Sequence, residues 1–173
     1  MAEPKIVIRT VTKEDFPLIL RLNEENVEVL SPMDEKGAAL FGKWAEKFLV
    51  AEVDGRFAAF LIAFREGVDD YWSENYKWFA AKYSQFLYID RIVIDEPYRK
   101  CGLGRRLYRE LMDHARNTKV PVVTAEIDTE PVYNEASLRF HDAMGFREVG
   151  TQYVRDGKIK VSLQAAEVAV DVP

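Results

Sequence analysis

Pro97–Tyr108, "PYRKCGLGRRLY", sets Gly102 and Gly104 inside a cluster of five basic residues, Arg99, Lys100, Arg105, Arg106 and Arg109. An apolar run, "FLYIDRIVID" (residues 86–95), precedes it. An amphipathic run, "LGRRLYRELMDHA" (residues 103–115), follows. The stretch reads as a strand-to-helix joint that carries flexible backbone and positive charge. Leu103, Leu107, Leu111 and Ala115 recur every four residues with Tyr108 and Met112 beside them, which gives the helix one buried face. A helix that starts near residue 102 leaves its first N–H groups without intrahelical partners, and its dipole puts partial positive charge there. Glycine has no Cβ, so an anion can approach the backbone closely. The joint suits a phosphate, and better a pyrophosphate. It is not G-x-x-x-x-G-K-[ST], and Leu107 stands where G-x-G-x-x-G needs its third glycine. On spacing alone, glycines ending a loop beside a solvated basic helix face is the competing reading.

Working outward, "KIVIRTV" alternates and reads as a strand. "TKEDFPLILRLNEENVEVL" (residues 12–30) reads as a helix opened by a capping box of Thr12 and Asp15, with Pro17 in its first turn. "SPMDEKGAALFGKWAEK" reads as a break and a second short helix. "FLVAEVDGRFAAFLIAFREG" is a hairpin turning at Asp54-Gly55. Residues 67–85 are polar and aromatic and carry no assigned element. Pro97 ends the strand "QFLYIDRIVID". "VPVVTAEID" is a further strand. "NEASLRFHDAMG" is a short helix with Asn134 as N-cap and Gly145 after its end. "FREVGTQYV" and "KIKVSLQ" form a last hairpin around Asp156-Gly157, and the tail "AAEVAVDVP" has no assignment. The order β-α-α-β-β-β-α-β-α-β-β predicts an α/β domain with a mixed sheet.

The 173 residues suit one domain, residues 1–173. The composition, 48% hydrophobic and 31% charged, is that of a soluble globular protein. A net charge of −5 gives no basic footprint for nucleic acid, so a local basic cluster points to a small anionic ligand. Cys101 is the only cysteine, and with His114 and His141 it cannot build a cysteine/histidine zinc site, so no metal is expected. There is no signal-peptide core and no apolar run long enough for a membrane helix, so the expected compartment is the cytoplasm.

"RKCGLG", Arg99–Gly104, resembles the R/Q-x-x-G-x-G/A signature of the GNAT N-acetyltransferases. "YIDRIVIDEPYRKCGLGRRLYREL" resembles that family's fourth strand, pyrophosphate loop and third helix. "NEASLRFHDAMGFREVG", from Asn134, resembles its N-x-x-[AS]-x-x-[FL]-Y-x-x-x-G-F segment. The resemblance implies a single-domain fold with a mixed, largely antiparallel sheet flanked by helices. It implies acetyl-CoA as cofactor, its pyrophosphate cradled by backbone N–H groups of Arg99, Lys100, Cys101, Gly102, Leu103, Gly104 and Arg105. Ile92, Val93 and Ile94 would pair with the pantetheine arm, and an N–H of Val93 or Ile94 would polarise the thioester carbonyl. Asn134 and Ser137 match positions that approach the CoA arm; Asn134 also fits a plain helix cap.

His141 departs from the family pattern, which often has tyrosine there as the acid for the leaving thiolate. Histidine can carry that proton in its place. The resemblance implies an amine acceptor, which must lose a proton before it attacks. Glu126, in "VTAEID", and Asp90, in "YIDRIV", are the candidate bases. The acceptor is expected to be a small-molecule or peptide amine, and the protein a monomer or homodimer. Residues 71–88 hold eight aromatics among Asp69, Asp70 and Glu74, which suits a cationic amine or, equally, a loop pinned by its own rings. The alternative function is a CoA-binding sensor or scaffold of the same fold without turnover.

Overall fold

The computed structural model describes residues 3–170. Among them are seven strands, β1 (Ile6–Thr10), β2 (Lys47–Val53), β3 (Arg56–Arg65), β4 (Leu87–Ile94), β5 (Val122–Glu130), β6 (Arg147–Val154) and β7 (Ile159–Glu167). Five α-helices accompany them, α1 (Phe16–Glu24), α2 (Glu35–Trp44), α3 (Glu74–Lys82), α4 (Leu103–Asn117) and α5 (Glu135–Ala143). The strands form one sheet in the order β1-β2-β3-β4-β5-β7-β6. β1–β2, β2–β3, β5–β7 and β6–β7 pair antiparallel, whereas β4 and β5 pair parallel through Leu87↔Val123 and Tyr88↔Thr124. The mixed, largely antiparallel sheet is the one expected. The chain divides into two compact units, Met1–Phe64 with Asp90–Glu110, and Arg65–Ile89 with Leu111–Pro173.

In the first unit the β1–β2–β3 meander packs Phe48 and Phe60 with ring centroids 6.4 Å apart, and Phe41 of α2 meets Phe64 edge-on at 5.6 Å. Arg9 on β1 bonds Asp15 through both terminal nitrogens, at 2.7 and 2.8 Å, and reaches Glu52 on β2. Asp15 also accepts the Thr12 N–H at 2.7 Å, as its place in the capping box requires. The Arg9 guanidinium, followed by the Thr12 contacts, holds the Asp15 carboxyl below the usual carboxylate range despite its burial.

The helix expected over residues 12–30 is shorter. A 3₁₀ turn at Lys13–Asp15 leads into α1, which ends at Glu24, and residues 25–29 are turns. Asparagine side chains compete for the backbone here. Asn26 donates to the Leu22 carbonyl at 2.8 Å, and buried Asn23 donates to the Ser31 carbonyl at 3.1 Å.

In the second unit, residues 74–82, left without an element from the sequence, form α3. Ser73 caps it by accepting the Tyr76 N–H. The spacing of Tyr76, Phe79 and Tyr83 gives it an aromatic face, and Tyr76 and Phe79 are buried. Tyr76 packs tilted against Phe86 and edge-on to Tyr88 with centroids 5.4 Å apart in each case, and its hydroxyl donates to the Arg65 carbonyl at 2.7 Å. The aromatic segment is thus largely a core built by its own rings, with Trp72 exposed. β7 runs on through Glu167, so the tail's first three residues are strand; residues 171–173 lie outside the described residues.

α3 meets β6 and the turn that follows it at three points. The Asn75 side chain accepts from Gln152 at 2.7 Å, Glu74 accepts the Arg155 N–H at 3.3 Å, and Trp78 lies over Gly150. A Cβ at Gly150 would run into the Trp78 ring, with Cη2 only 2.8 Å away. Gly150→Ala is therefore expected to destabilise by about 1–3 kcal/mol through overpacking. Gly42→Ala in α2, where a Cβ meets nothing within 4 Å, should stabilise by about 0.5–1 kcal/mol through helix propensity. Urea unfolding of the two variants checks both; equal effects would contradict the packing at Gly150.

Candidate active site

The glycine joint lies in the first unit. After β4 the chain makes a 3₁₀ turn at Glu96–Tyr98, with Pro97 in it, and then α4. Lys100 has φ +64° and Gly102 φ +82°, so the backbone reverses twice within three residues before the helix. The first i→i−4 bond of α4 is Arg106 N–H to the Gly102 carbonyl. The N–H groups of Leu103, Gly104 and Arg105 precede it, at the positive end of a 15-residue helix. A Cβ placed on Gly102 would meet nothing within 4 Å, so the approach to those amides is open. Lys100, Cys101, Arg105 and Arg106 are exposed around it. Arg99 is exposed as well, and it folds back along the loop, donating to the Ile94 carbonyl at 3.2 Å and to Asn26 at 3.3 Å, and so fastens the loop to the end of β4. The residues present fit a pyrophosphate group.

Val93 is buried while Ile92 and Ile94 are half-buried, the alternation of a strand packed on one face. Asp90 and Arg91 precede them. Arg91 is buried and donates to Asp90 at 2.6 Å, to Asn23 at 2.7 Å and to Ser31 through both its carbonyl and its hydroxyl. That ion pair ties the Asp90 carboxylate into the hydrogen-bond network of Arg91.

The second unit carries Glu126, Asn134, Ser137 and His141. Thr124, Glu126 and Asp128 share one face of β5 by strand alternation. Glu126 accepts from the Tyr88 hydroxyl at 2.9 Å. Its register partner on β7 is Leu163, which itself faces Gly150 on β6, so α3 packs over the face from which Glu126 projects. Asp128 is half-buried, and burial raises its carboxyl above the ordinary value, with Arg155 partly opposing the shift. Asn134 donates its N–H to the Asp128 carbonyl at 3.2 Å, which joins the start of α5 to β5, and its side chain caps α5 by accepting the Ser137 N–H at 3.1 Å.

His141 is buried, with its ring edge-on to Phe146 at 5.0 Å and Phe140 at 5.4 Å. Its Nδ1 lies 2.8 Å from the Ser137 carbonyl, which can only accept, so Nδ1 carries the hydrogen and Nε2 of the neutral ring is an acceptor. Burial pushes its pKa down, partly offset by that carbonyl. The ring is thus held neutral near pH 7, and the proton expected of a tyrosine substitute is scarce there. The sequence reading missed three things: the Tyr88 hydroxyl on Glu126, the position of Asp128, and the hub at Arg91. Strand alternation places Asp128 beside Glu126, but the Tyr88 contact depends on the β4–β5 register, which no local pattern encodes.

Residues 12–146 match the acetyltransferase (GNAT) family. The N-alpha-acetyltransferase RimI of Mycobacterium tuberculosis is 40% identical over 62 residues, 36% of this chain and 35% of that protein, so the match spans about a third of the relative's length. The fold superposes on the ribosomal-protein-S18-alanine N-acetyltransferase of Escherichia coli with a TM-score of 0.71 and 20% identity, covering 97% of each chain. It also superposes on yncA of Salmonella typhimurium, solved with its cofactor acetyl-CoA, with a TM-score of 0.66 and 19% identity over 97% of this chain and 96% of that one. This chain belongs to the acetyltransferase (GNAT) family, whose members use acetyl-CoA. No helix among the described residues is long and apolar enough to cross a membrane.

Because folding raises the Asp128 pKa, the folded state binds that proton more tightly than the unfolded chain. The associated stability is fully present below the unfolded carboxylate pKa and is lost as pH rises through the folded value. Asp128→Asn should therefore raise Tm at pH 7 to 8, with the gain shrinking toward pH 3. A lowered Tm at neutral pH would mean that the charge is stabilising there.

Proposed function

We propose that the protein is an acetyl-CoA-dependent N-acetyltransferase that acts on a primary amine by direct attack on the thioester, and that the amine is the α-amino group of a polypeptide N-terminus. The observation that carries the reading is the joint at residues 99–105, whose geometry fits a pyrophosphate within a chain of this family. Acetyl-CoA, when bound, supplies an acetyl thioester whose carbonyl carbon accepts the amine nitrogen as the sulfur departs. The N–H groups of Leu103, Gly104 and Arg105 bind the pyrophosphate, with Lys100 and Arg105 adding charge. Ile92, Val93 and Ile94 offer backbone groups to the pantetheine arm, and Asn134 and Ser137 contribute to the CoA arm while serving as the α5 cap. Glu126 takes the proton from the acceptor ammonium.

The acceptor class draws support from the names of two relatives, an N-alpha-acetyltransferase and a ribosomal-protein alanine N-acetyltransferase. It also draws support from acidity. An α-ammonium has a pKa near 8 and a lysine ammonium near 10.4, so a single carboxylate suffices more readily for the former. His141, held neutral, is a minor proton donor in this reading. The leaving thiol, with a pKa of about 8.5, departs without a dedicated acid.

Thiol release from acetyl-CoA, followed over peptides with free N-termini, the same peptides blocked at the N-terminus, lysine side-chain analogues and small amines, tests the proposal. Release with free N-termini and none with blocked ones is the expected pattern. Glu126→Gln should lower kcat by roughly 10²–10⁴-fold, the range of a general base. Gly102→Val should weaken CoA binding measured by calorimetry. Tight CoA binding without release from any acceptor would favour a sensor of the same fold instead.

A further inference from the structure

Tyr88 is among the largest fully buried side chains of the protein, yet it carries a hydroxyl. Its ring is enclosed by Tyr76 at 5.4 Å, Phe79 at 5.9 Å and Tyr71 at 6.5 Å, all from α3 and the segment before it. Its backbone is fixed opposite Thr124 at the β4–β5 ladder. From that anchored position the hydroxyl reaches diagonally to Glu126 Oε1, two residues along β5. A carboxylate can only accept, so the phenol donates, and a donor on the ionised form favours that form. A buried phenol locked by aromatic neighbours supplies one donor in one direction, which holds the carboxylate oxygen it meets.

We propose that Tyr88 is a positioning residue for Glu126. It orients the carboxylate, holds it ionised at working pH, and thereby sets the acidic limb of the reaction. Other groups share that face within this unit. Its own strand offers Thr124 and Asp128, and the carboxyl of Asp128 adds repulsion rather than a donor when ionised. β7 presents Leu163 and Val161, and β6 presents Gly150 and Gln152, the latter bonded to Asn75. Arg155 acts on Asp128. α3 brings Trp78 over Gly150 and Tyr76 and Phe79 around the phenol. The α3 segment therefore has a purpose beyond closing the sheet: it builds the cage that immobilises the phenol.

This inference rests on Glu126 being the base, so the test separates the two claims. Wild type, Tyr88→Phe and Glu126→Gln are compared by pH–rate profiles with acetyl-CoA and the best peptide acceptor. In parallel, the Glu126 carboxyl is titrated by ¹³C NMR in wild type and Tyr88→Phe without substrates. Phenylalanine keeps the ring in its cage, so Tm and the KM for acetyl-CoA should stay near wild type. The kcat of Tyr88→Phe should fall by roughly 10- to 100-fold, the worth of a hydrogen bond to a charged group. The acidic limb and the NMR midpoint should both move up by about one pH unit. If Glu126→Gln is inactive while Tyr88→Phe keeps the wild-type limb and midpoint, the positioning role is wrong and the base stands. If Glu126→Gln retains full activity, the base assignment fails and this inference fails with it.

Discussion

A guanidinium buried in the middle of a strand has to be satisfied, because an uncompensated charge there costs several kcal/mol. Arg91 is satisfied by four hydrogen bonds to Asp90, Asn23 and Ser31, with the ring of Phe41 5.1 Å from its carbon centre. Those partners come from β4, from α1 and from the segment after it. The one side chain thus ties β4 to Asn23 of α1 and to Ser31. It also steadies the run Ile92–Val93–Ile94 immediately beyond it, whose carbonyl at Ile94 is then clasped by Arg99 at the entrance to the glycine joint. A site built on a pinned strand and a helix start is more precise than one left to loops.

Carboxylates on the strands are sorted by what surrounds them rather than by residue type. Asp90 is bound to a guanidinium, Asp128 is half-buried with its proton favoured by desolvation, and Glu126 receives a phenol hydroxyl. Environments that differ this much assign different work to chemically similar groups. The same rule applies to His141, which looks from sequence like a stand-in for a tyrosine acid. Burial against the aromatic wall keeps it neutral, with the Ser137 carbonyl opposing that shift in part and fixing which nitrogen carries the hydrogen.

Much of the architecture was legible in the chain because the signals are local. The Asp54-Gly55 turn, the four-residue spacing of α4 and the Asn134 cap are each read from neighbours in sequence, and each appears as expected. The helix at 74–82 was hidden because its apolar face is aromatic and sits in a polar run; Ser73 followed by Glu74 was the available cap signal. The long first helix was overread because Asn23 and Asn26 act through side-chain bonds to Ser31 and Leu22 that periodicity does not display. For the candidate site, the glycine joint was visible by residue type and spacing, whereas Glu126 was pointed to only by the family resemblance. The Asp90–Arg91 pairing was foreseeable as adjacent charges, whereas Tyr88 on Glu126 and Trp78 on Gly150 join residues 38 and more positions apart and depend on tertiary register alone.

On the proposed function, the joint between β4 and α4, together with the end of β4, receives the pyrophosphate and pantetheine of acetyl-CoA. Amide hydrogen exchange with and without acetyl-CoA tests it most directly, because the proposed contacts are backbone N–H groups. Slowed exchange concentrated at residues 92–94 and 100–105 is the expected result. Tight binding of acetyl-CoA with no protection in those two stretches would contradict it.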